Sequence, residues 1–166
     1  MNNINNKQAL LLSSLTNYYK ENNHIKDTII PIINGEVDIS LRLLDWFITN
    51  YSKTYNSDYI LNKERFVVYT NYKSQLKSFQ KKNFDPFQRG NRIYFNYEGD
   101  NYFETTVGQL NFFRWAIKNN IIEYVKMMKK DIEDNMNTCI KMKKVSIKPN
   151  NKPVHKCNVN IVLTFD

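Results

Sequence analysis

The chain reads as a single small α+β domain: a mainly antiparallel sheet packed with helices, with a C-terminal strand joining the sheet. Strand-like and helix-like segments alternate along the chain, and an apolar β-branched run, Val159–Phe165, closes it. Hydrophobic residues make up 42% of 166 residues, enough for one core and the usual length of one domain. No run approaches the ~18 apolar residues that would span a membrane.

Residues 1–36 are expected to form an N-terminal arm or lead-in. Asn2 to Asn6 is polar and should fray. Ala9-Leu10-Leu11-Leu12 with Leu15, Tyr18 and Tyr19 suits a short amphipathic helix. Ile29-Ile30-Pro31-Ile32-Ile33 before the turn pair Asn34-Gly35 suggests an edge strand, because proline cannot donate to a ladder.

Residues 37–138 are expected to be the core domain. Ser40 can cap a helix from Leu41 to Lys53, with Leu43 or Leu44, Phe47, Ile48 and Tyr51 inward and Trp46 packed beside them. Tyr55 to Asn62 reads as a polar connector, and Arg65 to Tyr69 as a strand. In the helix predicted over Asn71–Lys82, Tyr72, Leu76 and Phe79 share one face and Lys73, Lys77 and Lys81 another. Pro86 disfavours helix at Asp85. Arg92–Tyr97 and Asn101–Glu104 form a hairpin across Glu98-Gly99-Asp100, with Arg92, Tyr94 and Asn96 on one side and Ile93, Phe95 and Tyr97 on the other.

Thr106-Val107-Gly108-Gln109 matches a capping box, in which the threonine hydroxyl accepts from the Gln109 amide and the glutamine side chain reaches back. Leu110, Phe113, Ile117, Ile121, Tyr124 and Met128 then keep helical phase across Asn119-Asn120. One helix to about Met136 is predicted, with a break at the asparagine pair as the alternative. Residues 139–156, with Pro149 and Pro153 among lysines, read as an exposed linker, and residues 157–166 as the strand returning to the core.

The formal net charge of +8 is unevenly placed. Residues 65–97 carry Arg65, Lys73, Lys77, Lys81, Lys82, Arg89 and Arg92 against Asp85 alone. Residues 140–156 carry Lys141, Lys143, Lys144, Lys148, Lys152 and Lys156 and no acid. Segregated positive charge of this kind suits a phosphate backbone. Aromatics interleave with the first segment, and such rings can stack on unpaired bases. The candidate site is therefore Lys73, Lys77, Lys81, Lys82, Arg89 and Arg92 for phosphates, with Tyr72, Phe87 and Tyr94 for bases. The expected partner is nucleic acid, DNA ahead of RNA, and no membrane. The alternative is an assembly protein whose basic segments meet acidic proteins.

Catalysis finds little support. His24 and His155 stand apart, and no GxSxG, GxxxxGK[ST], HExxH or GxGxxG occurs. Cys139 and Cys157 lack metal-ligand spacing and suit a reducing compartment. The expectation is a non-enzyme without cofactor or metal. The N-terminus shows no signal-peptide pattern, so secretion is not expected.

Asp45-Trp46-Phe47 with Thr49-Asn50-Tyr51-Ser52-Lys53, then Tyr72-Lys73-Ser74-Gln75-Leu76-Lys77, Phe84-Asp85-Pro86-Phe87 and Thr105-Thr106-Val107-Gly108-Gln109-Leu110-Asn111-Phe112-Phe113-Arg114-Trp115-Ala116-Ile117 resemble an uncharacterised family of nucleocytoplasmic large DNA viruses. The resemblance spans about residues 37–135. It implies a viral source and a host-cytoplasm setting, at the viral factory and in the virion, but supplies no catalytic or binding residue. The abundance of Asn, Lys, Ile, Tyr and Phe agrees with an AT-rich coding genome.

Overall fold

Helices dominate a computed structural model of the chain, which describes residues 6–146. The first helix, α1 (Asn6–Lys20), buries Leu15 and Tyr19, and the Tyr19 hydroxyl donates to the Leu110 carbonyl at 2.6 Å. Leu15, Tyr19, Ile25, Ile29 and Ile32 share one core with the later helices, so the segment expected as an arm is packed into the domain.

The run Ile29–Ile33 is not the expected strand. A π-turn over Ile25–Ile29 leads without a break into α2 (Ile30–Asn34), with Pro31 as the second residue of that α-helix. Gly35, at φ +71°, ends it with its N–H on Ile32, and Glu36 donates back to Pro31. Burial of Ile29 and Ile32, three apart, decided for the helix.

Ser40 caps α3 (Leu41–Trp46), accepting from the Leu43 amide at 3.1 Å. The helix continues through a π-turn at Phe47–Tyr51 into α4 (Ser52–Tyr55). Here Thr49 and Ser52 donate to the carbonyls of Asp45 and Ile48, and such back-bonding bends helices. Leu43, Leu44, Phe47, Ile48 and Tyr51 all face the core as expected.

Residues expected as a connector instead form β1 (Asp58–Leu61), which pairs antiparallel with β2 (Glu64–Val67). The turn residues Asn62 and Lys63 both have positive φ, which matches the twist of a two-residue hairpin. The strand expected to reach Tyr69 stops at Val67, and Val68, whose N–H donates to the Ser57 carbonyl, opens α5 (Val68–Phe79). Gln80, at φ 65° and ψ 158°, ends α5 in a conformation that side-chain-bearing residues rarely adopt, and a short 3₁₀ turn covers Lys81–Asn83.

The second hairpin, β3 (Ile93–Glu98) with β4 (Asn101–Thr105), follows the expected alternation, with a bulge between Asn96 and Glu98. It forms a sheet separate from β1–β2. The expected C-terminal strand lies outside the described residues.

Thr106 caps α6 (Val107–Lys118), accepting from Gln109 at 3.1 Å. The reciprocal half of the box differs: Gln109 Oε1 accepts from the Thr105 hydroxyl at 2.7 Å. The helix breaks at the asparagine pair, with Asn120 at φ 54°, and resumes as α7 (Ile121–Met127) and α8 (Lys129–Ser146). Backbone bonds from Tyr124 to Asn120 and from Met128 to Tyr124 carry the helical phase through, which is why the apolar spacing concealed the break. Residues 139–146, expected as linker, belong to α8. That helix packs on α3, where Trp46 donates to Asn135 at 2.9 Å.

Candidate nucleic-acid interface

The candidate surface begins with α5. Its inner face buries Val68 and sets Tyr72 against Phe84 and Trp115, and Trp115 donates to Asn71 at 2.7 Å. Lys73 and Lys77 occupy the outer face, are exposed, and lie one turn apart. Lys81 does not continue the stripe. The Gln80 turn lifts it off the helix axis, and its ammonium lies 3.6 Å from Asp85.

Phe84-Asp85-Pro86-Phe87 is the dock that holds this turn. Phe84 is fully buried among Tyr72, Phe79, Phe112 and Trp115. The Asp85 carboxylate accepts from the Phe87 amide at 2.8 Å, closing an Asx turn. Asn111 donates to the Asn83 carbonyl at 2.9 Å. Gly108 allows the segment to sit on the first turn of α6: a Cβ there would lie 3.1 Å from the carbonyl oxygens of both Lys82 and Asp85. The close approach is backbone to backbone, so a side chain at 108 would push the basic turn outward.

Charge within the dock is partly neutralised. Burial, aided by neighbouring Asp85 and opposed by Lys81, pushes the Asp45 carboxyl up to about 6. The Tyr72 hydroxyl is raised by burial first, then by Asp45 and Asp85. Lys81 therefore offsets local carboxylates, whereas Lys73, Lys77, Lys82, Arg89 and Arg92 are exposed and form no ion pair among the described residues.

The three candidate aromatics separate. Tyr72 is 9% exposed and belongs to the core, so it is withdrawn as a base platform. Its four-residue spacing from Leu76 already pointed inward. Phe87 and Tyr94 are 52% and 75% exposed. A third ring, Tyr102, is 58% exposed on the outward side of β4. The alternation of Asn101–Glu104 placed it opposite Phe103, and this was the available signal. In the second basic segment, Lys141, Lys143 and Lys144 lie on α8, and Lys143 covers the Trp46 ring at 5.8 Å. The remaining lysines of that segment lie outside the described residues.

Among the described residues no group of three or more His, Cys, Asp or Glu could hold a metal, and no helix is long and apolar enough to cross a membrane.

Residues 2–161 match the model of a family described as a family of unknown function (DUF7197). Uncharacterized protein L507 of Acanthamoeba polyphaga mimivirus is 45% identical over 126 residues, covering 70% of this chain and 49% of its own. The chain thus spans about half the length of that curated relative. No solved structure matches.

Proposed function

The chain belongs to this family of unknown function, with a viral relative, and we propose from its own residues that it is a non-enzymatic nucleic-acid-binding protein gripping the phosphate backbone. The observation that carries this reading is the set of five exposed cations without carboxylate partners among the described residues, Lys73, Lys77, Lys82, Arg89 and Arg92, gathered within twenty residues of sequence around the Phe84 dock. Cations held near their own acids gain little from a new anion. Unpaired ones release phosphate counterions on binding. A protein of this kind would act where viral genomes are handled, in the host cytoplasm, with DNA expected ahead of RNA.

The test is a fluorescence titration against DNA and RNA at several salt concentrations. Replacing Lys73, Lys77 and Lys82 by Gln should weaken binding and flatten the slope of log K against log salt by roughly 2–3 units. The melting temperature should stay almost unchanged, because all three side chains point to solvent. Lys81→Gln should alter binding less, since Lys81 faces Asp85. Equal slopes for wild type and triple variant would remove this surface from the site. No binding by the wild type at low salt would favour the assembly role, with acidic protein partners.

A further inference from the structure

We propose, resting on the nucleic-acid reading above, that the outward face of β3–β4 is a stacking platform for unpaired bases, so that the ligand is single-stranded nucleic acid. The register sets Tyr94 opposite Glu104 and Asn96 opposite Tyr102. Directly opposed residues share a face, so the two tyrosines stand on the outward side as diagonal neighbours. Diagonal positions lie about 7–8 Å apart. That is close to twice the roughly 3.4 Å rise of stacked bases, a spacing that leaves room for one base between the two rings.

These are the most exposed aromatic rings of the described chain, at 75% and 58%. Among the described residues neither contacts another ring and neither hydroxyl has a hydrogen-bond partner. The hairpin does not lack an inner face to receive aromatics: Phe95 is 6% exposed and packs edge-on with Phe103 and Tyr19. Paired bases in a duplex hide their faces in the stack, whereas single strands offer every base to a ring.

Charge sets the path of the strand. Arg92 precedes β3 and is exposed, and Phe87 and Arg89 lie on the loop leading to it. The Glu98 carboxylate is occupied by Lys26 at 3.0 Å. Glu104 is exposed beside Tyr94 and repels phosphate, which keeps the backbone to the Arg92 side. Asn96 is engaged in closing the turn, donating to Gly99 at 2.6 Å, so recognition is by ring face rather than by amide readout.

The experiment measures anisotropy of labelled oligothymidine, oligouridine and a duplex, each of roughly 16 nucleotides, at one salt concentration. Both single strands should bind about 10-fold tighter than the duplex. Tyr94→Leu and Tyr102→Leu should each weaken single-strand binding about 10-fold and leave duplex binding unchanged. Tyr94→Phe and Tyr102→Phe keep the ring face and should bind like wild type, with thermal melts showing that all variants fold. A preference for thymidine or uridine strands tells DNA from RNA, and either supports the platform. Equal binding of strand and duplex, with Leu variants like wild type, would overturn the platform and leave the phosphate reading standing. Absence of binding to every probe at low salt would overturn both.

Discussion

In β1–β2 the cross-strand aromatic pair, Tyr59 opposite Phe66, faces inward, its rings 5.3 Å apart and Tyr59 stacked on Tyr124. The Tyr59 hydroxyl donates to the Asn119 carbonyl where α6 ends. The outer side shows Ile60 and an Arg65–Asp58 ion pair. In β3–β4 the inner pair is Phe95 opposite Phe103, yet two further tyrosines stand outside and Arg92 has no ion-pair partner among the described residues. Two hairpins obeying the same alternation thus differ in what they leave to solvent. Period-two geometry assigns side chains to faces, and only the neighbouring elements decide which face needs covering. The outward tyrosines of β3–β4 are therefore not a by-product of hairpin geometry, since β1–β2 keeps both of its rings against the core.

The widest separation between the hairpins should appear in stability. Phe66→Ala opens a cavity beside Tyr59 and should cost about 3 kcal/mol or more. Tyr94→Ala, which removes an exposed ring, should stay within about 0.5 kcal/mol. Urea melts of the two variants measure the gap, and similar costs would abolish the distinction.

The exits of the hairpins come next. β2 runs into α5 with Val67 as cap and no side-chain bond, whereas β4 runs into α6 through the Thr106 cap. Thr106→Ala should cost about 1 kcal/mol by leaving the Gln109 amide without its acceptor. Val67→Ala exerts no such effect through capping. Thermal melts indistinguishable between wild type and Thr106→Ala would remove this difference.

The turns differ by less. Both Asn62 and Lys63 take positive φ in the first, and only Gly99 does so in the second. Lys63→Gly should stabilise by about 0.5–1 kcal/mol, because glycine adopts φ 69° without a Cβ penalty. Gly99→Ala at φ +53° should destabilise by a similar amount, about 1 kcal/mol. Chemical denaturation with opposite signs for the two variants is the expected result.

The smallest effect concerns how charge is spent between the hairpins, at the dock. The Asp45 carboxyl titrates near 6 in the folded chain, above its ordinary 3.8. The folded state therefore holds the proton more tightly than the unfolded one between these values. Asp45's contribution is fullest below about pH 4 and is lost as pH rises through 6. Asp45→Asn should be more stable at neutral pH by no more than about 1 kcal/mol, since the group is partly exposed, and should flatten that part of the profile. A melting temperature for Asp45→Asn equal to wild type across pH 4–7 would show that burial does not load this carboxylate.

What the residues determined alone was local. Ser40 and Thr106 cap because a side-chain oxygen meets an amide three residues on, a distance set by covalent geometry. The inward and outward sides of Ile93–Tyr97 follow from alternation, and the inward turn of Tyr72, Leu76 and Phe79 from helical spacing. Even the α+β class was readable from these periods. What tertiary structure decided was every choice between two locally acceptable states. Ile29–Ile33 became helix because the core received Ile29 and Ile32 from one side. Asp58–Leu61 became a strand because Phe66 had a partner in Tyr59. The long helix broke at Asn120 without losing phase, a break that an apolar count does not register. Lys81 left the lysine stripe because Phe84 is buried beneath the turn and Gly108 lets its backbone approach α6. Burial and backbone contact between distant segments outweigh propensities of a few tenths of a kcal/mol per residue, and no window of sequence contains them.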